Sequence, residues 1–203
     1  MKNVFKIASV AMVSCALVQT IQALPIIGSI GFSGTGVTFN NSSAGNSIAV
    51  TSWISPYVTS DTGSFLTPGY ITPNPGEGVT FMGNNTSTWN FNTSTPINNF
   101  WVAGNFTFEL LSSYIQTQGG SPGTTGFVVV FGTGIVTATG ANPAGFTPTV
   151  LSWSFTSRDP SAGASPSWTF SASAASVPDG GSTVMLLGLA LSGVALLKKK
   201  FIA

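Results

Sequence analysis

The sequence predicts an all-β fold, an antiparallel β-sandwich of jelly-roll-like or Ig-like type, flanked by an N-terminal signal helix and a C-terminal transmembrane helix. Three observations carry this expectation. Between residues 24 and 176, short apolar runs alternate with clusters of Gly, Asn, Ser, Thr and Pro. Inside the runs the period is two, as in Trp153-Ser154-Phe155 and Trp168-Thr169-Phe170, which send rings to one face and hydroxyls to the other. No window of that region sustains a capped helical period.

Candidate strands are 26–39, 48–54, 79–82, 88–91, 100–103, 106–115, 127–138, 150–156 and 167–173. The segments between them carry turn chemistry, among them Thr67-Pro68-Gly69, Pro73-Asn74-Pro75-Gly76 and Gly119-Gly120-Ser121-Pro122-Gly123. A short β-solenoid is the alternative. Gly31-Phe32-Ser33-Gly34 loosely resembles Phe131-Gly132-Thr133-Gly134, but no repeat period is fixed. Two edge strands of similar composition account for the likeness as well as a duplication does.

Composition then limits the chemistry. The 203-residue chain is 5% charged and contains no His and one Cys, where ordinary soluble domains carry about 25% charge. Five of six basic residues lie at the ends, at Lys2, Lys6, Lys198, Lys199 and Lys200. The body has one Arg and no Lys, which removes the clustered cations a nucleic-acid partner requires. Without His there is no Ser–His–Asp triad, and the commonest metal ligand is missing. We therefore expect a non-enzymatic body with no cofactor and no metal site. Its carboxylates are Asp61, Glu77, Glu109 and Asp159. Two of these in one cleft would be the minimum for sugar hydrolysis, yet Asp61 and Glu77 sit in Gly/Pro-rich surroundings. Asp159 follows Arg158, where a surface ion pair is the plain expectation.

Trp53, Trp89, Trp101, Trp153 and Trp168 all stand in strand-like runs and are expected in the core. Trp101 is the best candidate for an exposed, sugar-stacking ring, because adjacent strand residues face opposite sides and its neighbour is Phe100. Asn-x-Ser/Thr triplets occur at Asn40, Asn41, Asn84, Asn85, Asn92 and Asn105. In so Asn-, Ser- and Thr-rich a chain they mark solvated surface.

Residues 1–23 read as a secretory signal peptide. Lys2 and Lys6 precede an apolar stretch over 7–18, and the segment ends at Ala23, a small residue suited to cleavage. Cys15 lies inside the apolar stretch and leaves with it, so the mature body (24–176) has no thiol chemistry.

The last 27 residues, 177–203, have three parts. Val177, Pro178, Asp179, Gly180 and Gly181 form a short polar motif. Residues 184–197 follow without a charge, about 21 Å as a helix, and extension back to 180 gives about 27 Å against a ~30 Å hydrocarbon core. We place the transmembrane helix at 182–197. Lys198, Lys199 and Lys200 favour retention of that end in the cytoplasm.

The order of motif, apolar run and basic cluster resembles the PEP-CTERM class of bacterial sorting signals in its VPDSG-like variant, with Gly180 standing where that variant carries a small polar residue. The resemblance covers residues 177–200. It implies recognition of 177–181 by an exosortase, a membrane processing enzyme, with the apolar run as a transient anchor and the lysines as a stop. It further implies a Gram-negative source, tethering in the inner membrane before processing, and a final place at the cell surface or outside. The expected role is a surface or extracellular-matrix structural protein; the alternative is an extracellular exopolysaccharide-binding module.

Overall fold

The computed structural model describes residues 23–66, 73–139, 145–159 and 167–174. Strict alternation governs the segment SWTFSASA (Ser167–Ala174): each Trp, Phe and Ala is buried and each Ser and Thr exposed. One face of that strand meets a core and the other meets water. In chain order the strands are β1 (Leu24–Pro25), β2 (Gly28–Ser33), β3 (Gly36–Phe39), β4 (Ala49–Ile54), β5 (Tyr57–Asp61), β6 (Thr80–Phe81), β7 (Trp89–Asn90), β8 (Ile97–Ala103), β9 (Phe106–Gly119), β10 (Phe127–Ala138), β11 (Phe146–Thr147), β12 (Thr149–Arg158) and β13 (Ser167–Ala174). Two 3-10 turns, Ala44–Asn46 and Gly63–Leu66, complete the elements among the described residues.

Eight strands make one antiparallel sheet in the order β5-β2-β13-β12-β10-β9-β8-β6. That sheet curls until its edges meet. Val58 on edge strand β5 donates to Glu77 O at 2.9 Å, accepts from Gly76 N at 2.8 Å, and Val79 N donates to Pro56 O at 3.0 Å. Residues 76–79 lead directly into β6, the opposite edge, so this short segment stitches the seam and covers groups that an open edge would expose. Phe32 of β2 and Phe81 of β6 lie 5.9 Å apart across the enclosed space.

A three-stranded sheet, β3-β4-β7, packs against the aromatic face of the large one. Trp53 of β4 stacks on Phe81 at 4.1 Å and 11°, and meets Phe155 at 5.6 Å and Trp168 at 4.9 Å edge-on. The fold is therefore all-β as expected, and antiparallel except for the short parallel pair β1-β11, but its main layers are unequal, eight strands against three. Gly34 explains the division. A Cβ there would lie 2.7 Å from Ile54 O and 2.8 Å from the Trp168 ring, so the chain turns a tight corner. The expected strand 26–39 thereby becomes β2 in the large sheet and β3 in the small one. Strand β5 was not expected at all, because only Val58 of YVTSD is buried and no apolar period exists to read.

The two look-alike segments are not a duplication of one strand design. Phe32 is fully buried, whereas Phe131 is 38% exposed on the opposite face. In β10 the glycines take the inward positions instead. A Cβ on Gly132 would stand 2.0 Å from Ser112 O and 2.5 Å from the Trp153 ring; one on Gly134 would stand 2.1 Å from the Phe108 ring and 2.4 Å from Glu109 O. These glycines leave room for rings that cross from neighbouring strands.

All but the last residue of the predicted signal peptide (1–23), and the whole transmembrane helix predicted at 182–197, lie outside the described residues. Among the described residues no helix is long and apolar enough to cross a membrane.

Two substitutions test the packing. Trp53→Ala should lower stability by about 3–5 kcal/mol, the range for a buried aromatic. Gly134→Val should lower it by at least ~1–3 kcal/mol through overpacking against backbone as well as ring. Chemical denaturation of the two variants beside the wild type measures both.

Candidate functional site

Of the aromatic residues singled out from sequence, all five tryptophans are buried, between 0% and 4% exposed. Trp101 is thus a core residue, not a surface ring. Asn99 takes a left-handed φ of 52°, and the β8–β9 register shifts between Ile97 and Trp101. That bulge turns Phe100 inward beside Trp101. Trp101 stacks on Phe108 at 5.2 Å and 9°. No stacking platform is available from any tryptophan.

Of the four carboxylates, Asp61 and Glu77 lie close enough to interact, whereas Glu109 and Asp159 stand on other elements. Glu109 is half-buried on β9, directly opposite Ile135 of β10. Asp61 and Glu77 flank the seam, and Glu77 Oε1 accepts from Asn74 Nδ2 at 3.1 Å. Burial, then the negative charge of Glu77, push the Asp61 carboxyl up. Asp61 Oδ2 is buried with no hydrogen-bond partner. Among the described residues no three acidic, His or Cys side chains gather where a metal ion would need them.

Asp159 corrects the expected ion pair. Its carboxylate is buried, 4% exposed, and is held by three donors rather than by Arg158. The Ser43 hydroxyl donates to Oδ2, Ala44 N–H donates to Oδ1 at 2.7 Å and Gly123 N–H donates to Oδ2 at 2.8 Å. Asp159 N–H in turn donates to Gly126 O at 2.7 Å. Burial alone would push this carboxyl up; the hydrogen bonds from Ser43, Ala44 and Gly123 outweigh it and hold the group below its ordinary value. Asp159 is a clasp joining β12, the turn at 43–46 and the loop before β10.

Four asparagines of the Asn-x-Ser/Thr triplets likewise accept from backbone N–H groups. Asn40 Oδ1 accepts from Ile48 N and Ala49 N, both at 3.0 Å. Asn84 Oδ1 accepts from Thr86 N and Ser87 N, both at 3.0 Å, and Asn85 Oδ1 accepts from Phe81 N at 2.6 Å. Asn92 Oδ1 accepts from Ile115 N at 2.9 Å. These side chains satisfy backbone donors at turns and bulges.

What sequence reasoning missed is the outer face of the large sheet. Cross-strand registers set Ser112, Thr133, Ser152 and Ser173 in one row over β9, β10, β12 and β13. The next row is Tyr114, Phe131, Ser154 and Ser171. A shallow depression of about 460 Å³ lies over these rows. Tyr114 and Phe131 form a directly opposed pair, 51% and 38% exposed. The available signal was Phe131-Gly132-Thr133-Gly134: if glycine faces a crowded core, phenylalanine faces out.

The tail is resolved by comparison. Residues 176–201 match the family model described as the VPDSG-CTERM motif. The chain carries a VPDSG-CTERM motif. No curated protein and no solved structure matches the chain. Val177, Pro178, Asp179, Gly180 and Gly181, with Lys198, Lys199 and Lys200, lie within the VPDSG-CTERM match and outside the described residues. Ala23, the expected cleavage residue, is described and immediately precedes β1. The last strand, β13, ends at Ala174, two residues ahead of the VPDSG-CTERM match.

The Asp159 clasp gives a pH test. A carboxyl held below its unfolded value contributes stability that is full above pH ~4 and is lost as pH falls through the lower folded value. Asp159→Asn should cost about 1.5–3 kcal/mol at pH 7, the range for a hydrogen bond to a charged group. The gap to wild type should narrow below pH ~4. Denaturation midpoints measured from pH 7 to pH 2 check both the size and the direction.

Proposed function

We propose that this chain is an exported, non-catalytic surface or extracellular-matrix protein whose tail is cut by an exosortase. The observation that carries the reading is the VPDSG-CTERM match at 176–201, which begins directly after the last strand of the body. A CTERM motif implies export and processing at a membrane. The physical order supports this. Pro178 and the pair Gly180-Gly181 favour an extended, accessible segment, Asp179 offers a negative handle, and the apolar run at 184–197 is stopped by Lys198, Lys199 and Lys200.

The other end supports the same path. The charge and apolar pattern of 1–23 directs the chain to export, and the strands start at Leu24. The topology is then body outside, tail in the inner membrane, lysines inside, with later display at the surface of a Gram-negative cell. The non-catalytic part of the reading rests on residue chemistry: the chain contains no His, and its one Cys lies in the segment removed on export.

Intact-mass spectrometry of protein recovered from cells with an active exosortase tests the processing. The expected mature chain begins at Leu24 and ends within or next to 177–181. Deletion of 177–181 should leave residues 184–200 attached and the protein in the membrane fraction. A wild-type chain still ending at Ala203 in such cells would overturn the reading.

A further inference from the structure

We propose that the outer trough on β9, β10, β12 and β13 is a binding site for a neutral polysaccharide chain. The starting point is the Tyr114–Phe131 pair. Two rings side by side on neighbouring strands, both substantially exposed, provide an apolar surface on a face otherwise built from hydroxyls. Pyranose rings present that same combination, C–H faces bounded by hydroxyls. A ligand of this kind stacks on aromatic faces and hydrogen-bonds around them.

The hydroxyls beside the pair are free to do so. Ser112 and Thr133 bond each other at 3.1 Å, whereas the side chains of Ser152, Ser154, Ser171 and Ser173 have no hydrogen-bond partner among the described residues. A hydroxyl is both donor and acceptor and rotates to suit, which matches sugar hydroxyls of either polarity. Four such groups stand on adjacent strands spaced about 4.8 Å apart, carried by a sheet rather than by loops.

Charge selects within the carbohydrates. Along the trough the ionisable groups lie at its limits, Glu109 beyond one end and Arg158 at the other. The lining between is uncharged, so it complements an uncharged ligand and offers an anionic polymer no row of cations. Length favours a chain over a single sugar. A second depression of about 350 Å³ continues along β10, β12 and β13, lined by Val129, Thr156, Ser167 and Thr169. From Phe127 to Thr133 the strand advances about 20 Å at ~3.4 Å per residue. A protein partner is less suited, because most of the trough lining is Ser and Thr, and Ser is depleted in protein interfaces.

The test is affinity electrophoresis of the purified full chain in detergent, with a soluble β-glucan and a galactomannan as neutral probes and alginate as the acidic one. Retardation by at least one neutral probe and none by alginate is expected. Tyr114→Ala/Phe131→Ala should weaken that binding at least tenfold, and Ser171→Arg should block it by placing a charge and bulk in the trough. Ile48→Ala, which removes an exposed apolar side chain away from this face, should leave it unchanged. Denaturation midpoints close to wild type show that the variants fold; Ser171→Arg supplies the answer if the double variant does not. The proposal is overturned by no retardation with either neutral probe, by equal retardation with alginate, or by undiminished binding of both trough variants. A wild-type dimer in light scattering that the trough variants dissolve also overturns it, since a second copy then occupies the face. None of these outcomes touches the tail reading, which is measured separately by mass.

Discussion

The ring of Trp53 is the contact on which the rest of the structure depends. It stacks on Phe81 at the edge of the large sheet and meets Trp89, Phe100, Phe155 and Trp168 within 6.4 Å. Through one side chain the small sheet is tied to β6, β8, β12 and β13. A sheet curled back on itself has to fill its interior, and twelve of the largest fully buried side chains are Trp or Phe. Rings suit that space because each covers a large area and edge-to-face pairs add about 0.5–1.5 kcal/mol beyond burial. Gly132 and Gly134 belong to the same arrangement: the rings of Trp153 and Phe108 occupy the room a β-carbon would take.

Most of the indole N–H groups in this interior lack polar partners. Trp168 Nε1 donates to Gly36 O at 2.8 Å, which pins the corner between the two sheets. The indole N–H groups of Trp53, Trp89, Trp101 and Trp153 are buried with no hydrogen-bond partner among the described residues. An unmade hydrogen bond costs about 1–3 kcal/mol, offset in part where an aromatic face accepts the N–H. Polar organisation is moved to the periphery. There the Asp159 clasp, the asparagine caps and the seam at 76–79 satisfy the backbone where strands end.

The alternation that makes the core aromatic also makes the outer face hydroxylic. In β12 and β13 every inward ring is flanked by an outward Ser or Thr, so the surface is polar without being charged. Such a face remains solvated while lacking the fields that attract charged partners. For a chain bearing a VPDSG-CTERM tail this separates two tasks. The tail carries the sorting motif, and the body presents a neutral surface.

Local pattern carried much of this. Period-two alternation placed Trp153, Phe155, Trp168 and Phe170 inward correctly, since a half-buried strand shows its burial in its own residues. The tail was legible for the same reason: motif, apolar run and lysines are contiguous, and their order alone marks the sorting signal. Long-range geometry decided the remainder. Phe100 and Trp101 are buried side by side because a bulge at Asn99 turns Phe100 inward as well, and strict alternation cannot foresee a bulge. Strand β5 exists because the seam needs an edge to close on, although its own residues are mostly exposed. Asp159 is a clasp because Ser43 and Gly123, distant in sequence, bring donors to it. Tyr114 and Phe131 become a platform when two strands pair in one register. Contiguous patterns determine which residues seek burial; closure of the sheet determines which of them meet, and what is left facing water.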